Sequence, residues 1–80
     1  MRKVEIYSTA TCHFCHLAKD FFSANNIAFT DYNVGTDLEK RKEMMEKSGQ
    51  MGVPVIVLDD KEVIIGFDKQ RVADALGVSV

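Results

Sequence analysis

The run Val53-Pro54-Val55-Ile56-Val57-Leu58 constrains this chain more than any other feature. It has the length of a strand and is apolar at every position, so its sheet needs protein packed against both faces. A layered sandwich with helices on both sides meets that need, and the expected fold class is α/β. At 80 residues the chain has room for one such unit, residues 1–80 as a single domain. No repeat, low-complexity tract or linker divides it, and Pro54 is its only proline.

The other elements follow from periodicity. Lys3 to Tyr7 alternates with β-branched and aromatic residues and reads as a first strand, ended by the polar run Ser8 to Thr11. From His13 to about Asn25, Phe14, Leu17, Ala18, Phe21 and Phe22 recur at helical spacing, and Asn25-Asn26 stops the helix. Ala28 to Val34 alternates again as a second strand. Thr36 and Glu39 then have the spacing of a capping box, opening a polar helix to about Lys47 whose thin apolar face is Leu38, Met44 and Met45. A turn from Ser48 through Gly52 leads to the third strand, and Asp59-Asp60-Lys61 makes a tight turn into a fourth, Glu62 to Ile65. Gly66 breaks that strand, Asp68 is placed to cap a short last helix, Val72, Ala75 and Leu76 share its face, and Gly77 ends it. The order is β-α-β-α-β-β-α. A right-handed parallel β-α-β unit joined to an antiparallel hairpin gives a four-stranded mixed sheet with helices on both faces.

Composition excludes several partners. Ten basic and 12 acidic residues, net charge −2, are scattered along the chain and leave no basic stripe for phosphates, so nucleic acid is not expected. No apolar run is long enough to enter a membrane, and Glu5 interrupts the stretch where an export signal would need apolar residues, so the expected location is cytoplasmic. No face looks spare for self-association, and a monomer is expected. Two cysteines cannot staple a secreted scaffold; in a reducing compartment they point to catalysis or metal binding.

Cys12-His13-Phe14-Cys15 lies where the first strand meets the first helix. Cys12 then falls in the N-cap region, where free amides and the helix dipole favour a thiolate, and a protonated His13 or His16 would add to this. That makes Cys12 the nucleophile. Cys15, three residues on, returns over Cys12 and can resolve a mixed disulfide. Two buried packing cysteines are the plainer reading. Cys12 to His16 also matches the C-x-x-C-H pattern of haem attachment, but that belongs to exported proteins and would need a pocket where sheet and helix require their core. Cys12, Cys15 and His16 could share zinc, yet a closed site wants a fourth ligand and no second Cys or His pair exists. A solvated imidazole near a helix start is the favoured reading of either histidine over ligation, and no metal site is assigned.

A proline at the entry of a central strand cannot donate a ladder bond and needs a reason. A cis Val53–Pro54 bond would turn the main chain of Val53 outward beside Cys12, offering strand-like pairing to a substrate; a trans proline starting an edge strand is the alternative. Gly66 permits close backbone approach, and the helix start at Asp68 could receive a carboxylate; read alone, they are a turn and a cap.

Val4-Glu5-Ile6-Tyr7-Ser8, Cys12-x-x-Cys15, Val53-Pro54 and Gly66-Phe67-Asp68, in that order over nearly the whole chain, resemble a glutaredoxin, more closely the small glutaredoxin-like proteins of bacteria. The resemblance implies a thioredoxin-like fold, a nucleophilic Cys12, a resolving Cys15, a cis Pro54, and reduction of protein or glutathione mixed disulfides. It implies no tightly bound cofactor, with glutathione as a co-substrate, and disulfide-containing proteins as partners. Thr11, His13, Phe14, Val53, Pro54, Gly66, Phe67 and Asp68 are the candidate substrate-binding residues, with Tyr7, Phe14 and Phe67 either framing an apolar groove or packing in the core or its rim. His13 and Phe14 replace the usual Pro-Tyr, uncharged Thr9 stands near the place of a basic residue, Gly52 precedes Val-Pro, and Ile65-Gly66-Phe67-Asp68-Lys69 keeps one Gly and one Asp of Gly-Gly-x-Asp-Asp. Such departures resemble glutaredoxin-like donors served by thioredoxin reductase, so glutathione and that reductase both stand as electron sources. The rival readings are an iron-sulfur or metal carrier using Cys12, and a plain binding module.

Overall fold

The computed structural model describes residues 3–78. Seven elements follow in order: β1 (Val4–Ser8), α1 (His13–Ala24), β2 (Thr30–Asn33), α2 (Leu38–Ser48), β3 (Val55–Leu58), β4 (Glu62–Ile65) and α3 (Lys69–Leu76). The sheet order is β2-β1-β3-β4. β1 runs parallel to β2, with Glu5 opposite Thr30, and antiparallel to β3, with Tyr7 opposite Val55. The hairpin puts Ile65 of β4 opposite Val55. This is the mixed sheet the pattern predicts.

The two central strands are buried along their whole length, β3 because every side chain is apolar and β1 in spite of Glu5 and Ser8. Alternation then divides the core. Val4, Ile6, Ile56, Leu58 and Ile64 face α1 and α3, packing on Ala18, Phe21, Phe22, Val72 and Ala73. Tyr7, Val55 and Val57 face the other way, toward Val34, which follows β2, and toward Met44 of α2. Tyr7 is therefore a core residue and frames no groove.

Three helix readings need correction. In α1 the buried face is Cys15, Ala18, Phe21 and Phe22, while Phe14 and Leu17 are exposed. Cys15 at three and seven residues before Ala18 and Phe22 completes one stripe, and Phe14 lies about 100° off it. In α2 the cap is Asp37, whose carboxylate accepts the Lys40 N–H at 3.1 Å; Thr36 instead donates its hydroxyl to the Asn33 carbonyl at 3.4 Å. The Asn33 to Asp37 turn, closed by Asp37 N–H to Asn33 O at 2.9 Å, takes Thr36 into itself and moves the helix start one residue on. In α3 Val72 and Ala73 are buried, with Ala75 and Leu76 only partly so. The predicted stops hold: Asn25 caps α1, and Gly77 caps α3 at φ 71°. Asp59 and Asp60 both sit at positive φ in the hairpin turn, a conformation aspartate tolerates better than most residues.

Of the three apolar positions read on α2, only Met44 is buried, and Leu38 is 71% exposed. Polar contacts do the rest. The Tyr7 hydroxyl donates to Glu43 at 2.7 Å, and Lys40 and Lys47 approach the same carboxylate at 3.1 and 3.4 Å. Lys47 also reaches Asp60 at 3.3 Å, and the Lys40 ammonium stands 4.2 Å over the Tyr32 ring. Beneath them the Tyr32 hydroxyl donates to the buried carboxylate of Glu5 at 2.7 Å. The hydrogen bond from Tyr7, with those from the lysines, holds the Glu43 carboxyl below its ordinary range. Burial, then the Glu43 bond, pushes the Tyr7 phenol up, and the bond to Glu5 pushes Tyr32 up to about 12.

Candidate active site

Strand β1 delivers the chain through Thr9, Ala10 and Thr11 to Cys12, the N-cap of α1 at φ −83° and ψ 112°. Ser and Asp are the usual caps because a side-chain acceptor must meet a free amide there. Here sulfur does so: Cys12 Sγ accepts the Cys15 N–H at 3.2 Å. Cys12 is half-buried and Cys15 fully buried, with their Cα atoms 5.2 Å apart and their sulfurs joined in a disulfide. No acidic residue occupies the first turn, so nothing there opposes a negative sulfur on reduction. The plainer reading of two separate packing cysteines does not fit this pairing.

Thr11, His13 and Phe14 are exposed around Cys12, the His13 and Phe14 rings meeting edge-on at 5.7 Å. The antiparallel register brings the other fragments to the same end of the sheet. Val55 opens β3 opposite Tyr7 near the end of β1, so Val53 and Pro54 arrive beside the loop that carries Cys12. The Val53–Pro54 bond is cis, and the Pro54 carbonyl accepts the Gly66 N–H at 2.8 Å, which fastens the exit of β4 to the same place. Gly66 takes φ 81°, a conformation costly for other residues. Asp68 caps α3 by accepting the Arg71 N–H at 3.3 Å. Phe67 turns inward, 5.9 Å from the Phe21 ring, and packs on the core. Val53 is half-buried against the Tyr7 cluster.

Among the described residues no three His, Cys, Asp or Glu side chains are grouped to hold a metal ion. Two features escape sequence reasoning: the Glu5, Tyr32, Tyr7, Glu43 network, signalled only by a carboxylate inside an apolar strand, and a contact from His16 to the Ala10 carbonyl.

A glutaredoxin family model matches residues 4–63. The chain belongs to the glutaredoxin family. It is 44% identical over 69 residues to an uncharacterized glutaredoxin-like 8.6 kDa protein of the rubredoxin operon of Clostridium pasteurianum, covering 86% of this chain and 91% of that one. It is 38% identical over 77 residues to glutaredoxin 3 of Escherichia coli, covering 96% and 92%. The crystal structure of a mutant thioredoxin-like protein superposes with a TM-score of 0.90 at 28% identity, over 99% of this chain and all of the other. The fold is thioredoxin-like, and the protein is a dithiol–disulfide oxidoreductase whose dithiol is Cys12 and Cys15. Disulfides are the class of substrate. Among the described residues no helix is long and apolar enough to cross a membrane.

Proposed function

We propose that this glutaredoxin reduces protein disulfides and glutathione mixed disulfides in the cytoplasm as a monomer, with Cys12 attacking and Cys15 resolving. The observation that carries this is the asymmetry of the pair: half-buried Cys12 holds the helix N-terminus and accepts an amide, whereas Cys15 has no exposed surface. The Cys12 thiolate attacks one substrate sulfur, forming a mixed disulfide and expelling the other sulfur as a thiolate that takes up a proton. Cys15 then loses its proton and attacks Cys12 Sγ, releasing the second substrate thiol and leaving the Cys12–Cys15 disulfide. Two electrons pass to the substrate. Two glutathione thiols, or thioredoxin reductase with NADPH, return them.

Val53 enters β3 at the end of the sheet where β1 runs on toward Cys12, which supports strand-like pairing of the substrate main chain with Val53. Thr11, His13 and Phe14 supply the exposed rim, and the start of α3 after Gly66, Phe67 and Asp68 suits a glutathione carboxylate. No tightly bound cofactor enters this cycle.

The test is reduction of the oxidised protein by glutathione, compared with thioredoxin reductase plus NADPH, with thiols counted over time. Two new thiols per chain are expected from at least one donor, and Cys15→Ser should trap a mixed disulfide at Cys12 alone. Trapping at Cys15 in a Cys12→Ser variant, with turnover retained, would reverse the assigned roles.

A further inference from the structure

His16 sits in the first turn of α1, and its side chain turns back across the loop that precedes it. Nε2 lies 2.9 Å from the Ala10 carbonyl oxygen. A carbonyl only accepts, so Nε2 carries the hydrogen and the bond selects one tautomer. The main chain of the same residue donates to the Cys12 carbonyl at 3.3 Å, while Cys12 N–H closes on the Thr9 carbonyl at 3.3 Å. His16 therefore grips the segment on both sides of Thr11. The last bond from β1 to its neighbour here is Val34 N–H to Ser8 O at 2.9 Å. Beyond it the chain reaches the reactive sulfur through a turn.

We infer that His16 is a positioning residue: its Nε2–H to Ala10 bond holds Thr9 to Thr11 against α1 and thereby fixes the direction in which Cys12 Sγ meets an incoming disulfide. The inference rests on Cys12 being the attacking thiol. Displacement at sulfur needs the attacking, central and leaving sulfurs in line, so freedom in the loop lowers the fraction of encounters that react. His13 provides the contrast, because it is the same residue type, is nearer to Cys12 in sequence, and meets Phe14. A charge effect would be shared by both histidines. A loop clamp belongs to His16 alone.

The experiment compares His16→Leu, His16→Gln and His13→Leu. A glutamine amide can place an N–H where Nε2–H lies; leucine keeps bulk and has no donor. Amide hydrogen exchange at Cys12 is read in each, together with kcat and KM on a glutathione-capped peptide. His16→Leu is expected to speed Cys12 exchange about fivefold and to lower kcat by a similar factor with KM changed less than twofold, as loss of one exposed hydrogen bond implies. His16→Gln should recover most of both, and His13→Leu should leave the exchange as it was. Unchanged exchange in His16→Leu, or no recovery in His16→Gln, overturns the clamp. Amide exchange does not depend on which sulfur attacks, so it judges the clamp apart from the Cys12 assignment. That assignment fails separately if Cys12→Ser still turns over.

Discussion

Replacing Tyr7 with Phe deletes one hydroxyl from a fully buried ring and leaves the packing of Val55, Val57 and Met44 in place. What is lost is the 2.7 Å hydrogen bond to Glu43 that joins the central strand to α2. A hydrogen bond to a charged group contributes about 1.5–3 kcal/mol. The Glu43 side chain is 34% exposed and keeps Lys40 and Lys47, so no stranded charge adds to the loss. The cost should lie at the low end, about 1.5 kcal/mol, or roughly 6–12 °C in melting temperature for a domain of this size. Urea unfolding of wild type, Tyr7→Phe, Glu43→Ala and the double variant isolates the pair, and a coupling of about 1 kcal/mol is expected near neutral pH. The fold lowers the Glu43 pKa below its ordinary 4.5, so its contribution is present above that value and is lost as pH falls through the folded one. Tyr7 has the opposite sign: its raised pKa gives stability below its ordinary 10.0 that is lost as pH rises beyond it. A coupling under about 0.3 kcal/mol, or one that stays constant from about pH 7 to about pH 2, would refute the reasoning.

Tyr32→Phe should cost more than Tyr7→Phe, about 2 kcal/mol in the same assay, because its acceptor Glu5 is 3% exposed and its other carboxylate oxygen has no hydrogen-bond partner among the described residues, only the Lys3 ammonium at 3.9 Å. Asp37→Ala should destabilise by about 1 kcal/mol and Thr36→Ala by less than about 0.5; equal losses would restore Thr36 as the cap. Ile56→Ala, at a position with no exposed surface between α1, α3 and the sheet, should cost about 2–5 kcal/mol in denaturant unfolding, and a loss under about 1 would mean the core there collapses around the cavity.

Element order was legible because its signals are local: the spacing of Ala18, Phe21 and Phe22, the stop at Asn25, the Asp68 cap, and Gly66 and Gly77 at positive φ. What was not legible depends on which strand neighbours which. Tyr7 reads as readily as a groove residue until β1 is known to lie between β2 and β3, where both of its faces are covered. Glu5 looks solvated for the same reason, and its partner Tyr32 is 27 residues away. Thr36 fits a capping box in spacing, and only the turn at Asn33 shows why Asp37 takes the role.

The site divides along the same line. The dithiol could be read from the four residues Cys12 to Cys15, because a sulfur at a helix N-cap and another three positions on need only the first turn of α1 to meet. Its surroundings could not, since Val53, Pro54, Gly66 and Asp68 come to Cys12 only through the pairing of Tyr7 with Val55 and of Val55 with Ile65. The two cysteines also differ in what contains them. Cys15 belongs to the buried stripe of α1 and is held by the core, whereas Cys12 ends a loop fastened to the helix at its margin. Core substitutions such as Ile56→Ala should therefore act through stability, and changes at Thr11, His13, Phe14 or His16 through the encounter with substrate. Thr11, His13, Phe14 and His16 are all exposed, so substitutions there should leave Cys15 buried beneath Cys12.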